Sequence, residues 1–400
     1  MRAALLFALL AGPALPASCA VLTLSGLDVL ERDGFAALQG KRVGLITNHT
    51  AVDLQGRHAA DALHAAGVDL RAIFAPEHGF RGTEDHGAHI AHSSDAATGA
   101  PIYSLYGRNM RPSPEQLSGL DVLVFDIQDV GARFYTYLTT MGYAMEEAAK
   151  AGLSFVVLDR PNPAGGHIVE GPVLETGISA FTAYFPVPPR HGFTAGEMAL
   201  FHRDDRRLPL DLLVVRMENW RRDMFFDETG LVWTNPSPNI RSVEAELLYP
   251  GIGCFEATNL SVGRGTGSPF TWFGAPWLDG GGLAAELNAL GLPGVSFAAA
   301  RKTPSSDVYA GEECGGVEVT ITDRHALRSL DVFVHAASLL KKLHPAEFSY
   351  RPAELRKMTG SGLLGEALEK GRPAGPVLKK YAGESAAFRK KRAKWLLYRI

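Results

Sequence analysis

The chain has 400 residues, 46% hydrophobic and 21% charged, with a formal net charge of -3. This is ordinary globular composition, and the length suits two domains of roughly 150–250 residues each. The near-neutral charge leaves no basic footprint for nucleic acid, and no apolar run past the N-terminus reaches the ~18 residues of a membrane span.

The N-terminus is different. Arg2 supplies a positive start, residues 3–10 are apolar, Pro13 and Pro16 break the run, and Ser18-Cys19-Ala20 offers small residues for a signal peptidase. Residues 1–20 therefore read as a cleaved secretory signal, which makes the mature chain exported, periplasmic or secreted. Pro16 and Ser18 make a poor lipobox, so acylation of Cys19 is the lesser alternative. The remaining cysteines, Cys254 and Cys314, are too few for a disulfide framework, and each reads equally as a core thiol.

After the signal, strands and helices alternate. Residues 42–47 (RVGLIT) read as a strand leading into Asn48, His49 and Thr50. Helical spacing follows over 56–66. The apolar run 70–74 is a second strand, which Pro76 ends because it has no N–H for a ladder. Glu77, His78 and Arg81, in FAPEHGFRG, then fall on a loop at the strand's carboxyl end. A short strand is expected over 101–106. Residues 121–125 (DVLVF) form a central strand that runs into DIQDVGARFYTY, with Asp126, Gln128, Asp129, Arg133, Tyr135 and Tyr137. A helix over 136–151 carries Met141, Ala144, Met145 and Ala148 on one face. Strand 154–158 ends at Asp159, Arg160 and Asn162. Such alternation predicts an α/β fold, a Rossmann-like parallel sheet with helices on both sides. No GxGxxG opens its first helix, so no nucleotide cofactor is expected.

A Gly/Pro-rich excursion occupies 165–189. Thr194 and Glu197 form a capping box for the next helix, and 211–215 is a further strand. The loop 233–241 (WTNPSPNIR) is stiffened by Pro236 and Pro238 and carries Asn235, Asn239 and Arg241. Ser242 caps a helix to about 249, and 258–270 is glycine-rich. Beyond it the pattern changes to a smaller α+β region, with a strand at 317–321, a helix at 330–343 and a basic helical tail. The expected organisation is a signal over 1–20, a Rossmann-like catalytic domain over 21–270, and an α+β domain over 271–400 that closes the cleft.

In open α/β sheets ligands bind outside the carboxyl ends of the strands. Glu77, Asp126 and Asp159 leave the sheet at that end, beside amides, guanidiniums and phenols. This inventory suits a polyhydroxylated ligand. The segment 255–267 adds Glu256, Asn259 and Arg264 between glycines. It lacks the GK[ST] of a phosphate loop, and Arg264 suits a carboxylate instead. His86, His89 and His92 at three-residue steps raise a metal-dependent hydrolase as an alternative. No acidic ligand completes a known pattern, so no metal is expected. A non-catalytic sugar-binding protein is the other alternative.

Taken together, ITNHTAV, FAPEHGFRG, SLYG, VFDIQDVGARFYTY, VLDRPNP, GPVLE, HGFTAGEMA, WTNPSPNIRS, YPGIGCFEATNLSVGRGT and the closing LLYRI resemble the NamZ family of exo-β-N-acetylmuramidases. The resemblance runs in order over nearly the whole mature chain. It implies a Rossmann-like domain, a smaller second domain, a cleft between them, and release of N-acetylmuramic acid from the non-reducing end of peptidoglycan fragments. For a binding protein without chemistry, it would make the ligand a muropeptide. It puts the catalytic acid on Glu77. Glycoside hydrolysis usually needs a second carboxylate, for which Asp126 and Glu256 are candidates, unless the substrate's acetamido oxygen serves. Arg264 and Arg133 are candidates for the lactyl carboxylate. Asn48, His78, Arg81, Gln128, Tyr135, Asp159, Arg160, Asn235, Asn239, Glu256 and Asn259 complete the expected substrate-binding set.

Overall fold

Residues 22–81 and 93–400 are described by the computed structural model. The leader read over 1–20 and the three histidines His86, His89 and His92 lie outside the described residues. Strands β1 (Arg42–Thr47), β2 (Asp69–Ala75), β3 (Ser93–Ser94), β4 (Pro101–Ser104), β5 (Val122–Asp126), β6 (Ser154–Leu158) and β7 (Leu212–Val215) form one sheet in the order β3-β4-β2-β1-β5-β6-β7. Every neighbouring pair is parallel except the two-residue edge β3, which runs antiparallel to β4.

Side chains alternate across this sheet into two cores, because strand residues two apart share a face. On one face Val43, Leu45, Ile73, Val122 and Val124 pack under helices α1 (Gly26–Arg32) and α2 (Ala59–Ala65). On the other, Phe74, Leu123, Phe125 and Phe155 pack under α3 (Pro114–Leu117), α4 (Tyr137–Ala151) and α5 (Ala195–Arg206). The capping box at Thr194 forms as read: its hydroxyl accepts from the Glu197 N–H, and the Glu197 carboxylate accepts from the Thr194 N–H. Gly152 closes α4 in the left-handed conformation that favours glycine.

The chain then enters α6 (Val243–Ile252) and the smaller unit. Strands β8 (Trp272–Ala275), β9 (Val295–Lys302) and β10 (Cys314–Ile321) make an antiparallel sheet in the order β8-β10-β9, with α7 (Gly280–Ala289) between β8 and β9. Helices α8 (Ser329–Leu343), α9 (Pro352–Thr359), α10 (Leu363–Glu369) and α11 (Ala374–Lys391) complete it. Helix α6 lies against the start of α8 so closely that a Cβ on Gly251 would sit 1.8 Å from the Ser329 carbonyl oxygen. The last residues return to the first sheet. Trp395 packs edge-on against Phe201 of α5, and the Tyr398 hydroxyl donates to Asp159 Oδ2 at 2.6 Å. Both remaining cysteines are buried and unpaired.

The strand order reverses direction between β1 and β5, so a crevice opens beyond their carboxyl ends. Asn48 and Gln128 brace it. Thr50 donates to Asn48 Oδ1 through both its N–H and its hydroxyl, and the Thr50 hydroxyl accepts from the Gln128 N–H at 2.9 Å.

Candidate active site

A cleft of about 630 Å³ lies where the loops of the large sheet meet the smaller unit. Its acid comes from the turn after β2. Gly79 N–H donates to the Pro76 carbonyl at 3.0 Å, closing a four-residue turn with Glu77 and His78 inside it. His78 has φ of 69°, at the position where such turns usually take glycine. This is a residue held in a sparsely populated conformation at the site itself. The turn puts Glu77 into the cleft wall at only 4% exposure, where Oε2 accepts from the Thr136 hydroxyl at 2.6 Å.

The floor is aromatic. Tyr249 meets Phe134, Phe270 and Tyr135 edge-to-face at centroid distances of 5.2, 4.8 and 6.0 Å. Burial raises the Tyr249 phenol well above its ordinary range. Tyr135 and Tyr137 both donate to the Pro236 carbonyl, at 2.9 and 2.6 Å, and so fix the proline-rich loop that brings Ser237 and Asn239 to the cleft. Besides Glu77, three carboxylates line the cleft, Glu256, Asp307 and Glu354, and Glu256 sits on the turn after α6. Its Oε1 accepts from Arg264 Nε at 2.8 Å and Nη2 at 2.7 Å. Its Oε2 makes no hydrogen bond among the described residues. The smaller unit contributes Ser306, Asp307 and Arg351.

Outside the cleft lining, Glu246, Asp129 and Glu170 are buried and Asp331 is half-buried. Glu246 has both carboxylate oxygens buried without a hydrogen bond, and burial pushes its proton affinity well up. Asp129 accepts from Gly131 N–H at 2.7 Å on one oxygen, while the other is buried and unpartnered, and burial raises it to about 7. Asp331 is raised to about 7 by burial and then by Glu170. Arg190 faces this group but is already bound to Glu170 at 2.5 Å. A carboxyl whose folded pKa is raised keeps a proton that the unfolded chain has lost. Its contribution to stability is therefore lost as pH rises, for Asp129 between about 4 and about 7. We expect Asp129→Asn, which mimics the protonated form, to gain stability over the parent by about 1–4 kcal/mol between pH 4 and pH 8. Urea midpoints at the two pH values measure it. An unchanged difference would mean that Asp129 ionises normally.

The N-terminal model of the family described as exo-β-N-acetylmuramidase NamZ matches residues 43–244, and its C-terminal model matches 247–398. The chain belongs to this family. It is 41% identical over 376 residues to the peptidoglycan β-N-acetylmuramidase NamZ of Bacillus subtilis, covering 94% of this chain and 91% of that protein. A crystal structure of a DUF1343 family protein from Bacteroides fragilis superposes with a TM-score of 0.89 at 37% identity, over 95% of this chain and all of that one. A second from the same organism gives 0.78 at 30% identity, over 94% and 99%. The two family models meet inside α6, whereas the sequence reading drew its division at 270.

Of the residues expected to bind or act on substrate, the cleft gathers Glu77, His78, Tyr135, Asn239, Glu256 and Arg264. Asp126, expected to be catalytic, does not line the cleft. It is fully buried beneath the crevice, with Oδ1 bound by Arg160 Nε and Oδ2 by Arg160 Nη2 at 2.9 Å. Both of its oxygens are taken by one edge of a guanidinium, away from the cleft lining. Arg160 is spent on this pair and on the Val52 carbonyl. Arg133, expected to meet the lactyl carboxylate, does not line the cleft either. Its backbone neighbours Phe134 to the floor, but its side chain runs the other way and donates to the Lys357 and Met358 carbonyls at the end of α9, with burial lowering it to about 10.

Asp159 binds Thr194, Gly196 and Tyr398, and burial raises it to about 6. Asn48 and Gln128 brace loops. Arg81 pairs with Asp95 at 3.2 Å. Asn235 accepts from Trp233 Nε1, and Asn259 clamps residues 347–349 through Glu347 and Ser349. Thr136, Tyr249 and Arg351 were missed. For Tyr249 the signal was present, since an aromatic next to Pro250 in a short helix invites a role at a surface. Nothing local marks Arg351.

Proposed function

We propose that this chain is an exo-acting glycoside hydrolase that releases N-acetylmuramic acid from the non-reducing end of peptidoglycan fragments. The observation that supports this reading best is the pairing of Glu77 and Glu256 in one aromatic-floored cleft, in a chain of the NamZ family. Glu77 is the general acid. It is buried in the cleft wall and its Oε2 accepts from the Thr136 hydroxyl, which holds it in place as a proton donor to a leaving oxygen needs to be. Glu256 is the second carboxylate of the reaction, held through Oε1 by Arg264 in the cleft lining. The Tyr249 ring offers a face for the sugar's C–H surface, and Ser237 and Asn239 offer hydrogen bonds to hydroxyls and the acetamido group. The residues 1–20 fit export, which would place the enzyme with its peptidoglycan substrate outside the cytoplasm.

The test is hydrolysis of matched chromogenic β-N-acetylmuramide and β-N-acetylglucosaminide. The muramide should be turned over at least tenfold faster in kcat/KM, from a charge-assisted contact to its carboxylate of roughly 1.5–3 kcal/mol. Equal turnover of both, or of neither, would overturn the reading.

A further inference from the structure

We propose that Arg351, rather than Arg264, reads the free lactyl carboxylate of the muramic acid, and so selects ends that carry no stem peptide. This rests on the function proposed above and adds the residue that discriminates.

Two guanidiniums line the cleft, and their surroundings differ. Arg264 is compensated. It binds Glu256 Oε1 through Nε and Nη2, and Asp307 Oδ2 lies 3.7 Å from Nε. Its positive charge is spent on holding the second carboxylate. Arg351 has no carboxylate within ion-pair distance among the described residues. The nearby acid Glu354 binds Lys357 Nζ at 2.8 Å instead. Arg351 is nevertheless fixed in place. Its N–H donates to the Ala257 carbonyl at 2.8 Å, its Nη2 donates to the Glu256 carbonyl, and Pro352 follows it at the start of α9. A cation anchored at both ends of its residue, next to the second carboxylate and lacking a counter-ion, is a preorganised site for an anionic group on the substrate.

The only anion on an unsubstituted terminal muramic acid is its lactyl carboxylate. When a stem peptide is attached, that carboxylate becomes an amide and the charge at this position disappears. Arg351 then gains nothing from the sugar, so peptide-free ends are favoured. Because the side chain is exposed, solvent screens the contact, and the effect belongs at the low end for a charge-assisted hydrogen bond, about tenfold.

The experiment measures binding and turnover separately. In the Glu77→Gln background, calorimetry compares N-acetylmuramic acid with its lactyl amide. Adding Arg351→Ala should weaken the acid about tenfold and leave the amide unchanged, and Arg351→Lys should recover part of the loss. In the otherwise native enzyme, Arg351→Ala should raise KM for a chromogenic muramide about tenfold and leave kcat nearly intact. Arg264→Ala should instead lower kcat on all substrates, since it releases Glu256. Equal weakening of acid and amide by Arg351→Ala would mark a structural role and overturn the assignment, as would no weakening of either. The binding arm stands even if the protein turns over neither glycoside, an outcome that would overturn the proposed hydrolysis alone.

Discussion

Replacing Glu77 with Gln should abolish hydrolysis of natural saccharides while leaving the fold and ligand binding intact. The substitution keeps shape and can still accept from the Thr136 hydroxyl, 2.6 Å away, but it has no proton to give. General acid catalysis typically contributes ~10²–10⁴-fold, and a loss of that size in kcat is expected. The loss should shrink sharply on an activated aryl muramide, whose leaving oxygen departs without protonation. That contrast separates a proton donor from a structural residue. A merely structural Glu77 would lower both rates together and lower the melting temperature with them. Wild-type turnover of a disaccharide by Glu77→Gln would remove Glu77 from the chemistry.

Replacing Asp126 with Ala should have the opposite signature. Asp126 and Arg160 form a buried pair below the switch point of the sheet, and removing one partner leaves a charge in the core. Such losses cost about 3–5 kcal/mol, a large part of the stability of a domain. Chemical unfolding should show that drop, while kcat per folded molecule changes less than the loss for Glu77→Gln. Pairing it with Arg160→Met should restore much of the stability, because neither charge then remains. If Asp126→Ala unfolds normally yet loses activity a hundredfold or more, Asp126 is catalytic after all.

The large sheet was legible because burial on both faces leaves continuous apolar runs. Residues 42–47 and 154–158 read as strands with the bounds that β1 and β6 have. The smaller unit was harder to read. Strand β9 is VSFAAARK, where alanines carry no strand signal, and α7 opens on three glycines that propensity counts against a helix. Helix α1 has seven residues, too short for a period to show.

In the site, the limit was direction rather than position. Asp126 does close β5, and Arg133 follows on the loop after it. Sequence cannot say that one turns beneath the crevice to Arg160, or that the other turns away to α9. Arg351 comes from the far end of the chain and reaches the cleft only through the packing of α9 against the turn after α6.

The most direct measurement is the product profile from peptide-free glycan chains with muramic acid at the non-reducing end, followed by mass spectrometry. The proposed function requires free N-acetylmuramic acid to appear first, one residue per chain, with no internal fragments and none released by Glu77→Gln. Internal fragments at early times, or equal release by Glu77→Gln, would contradict it.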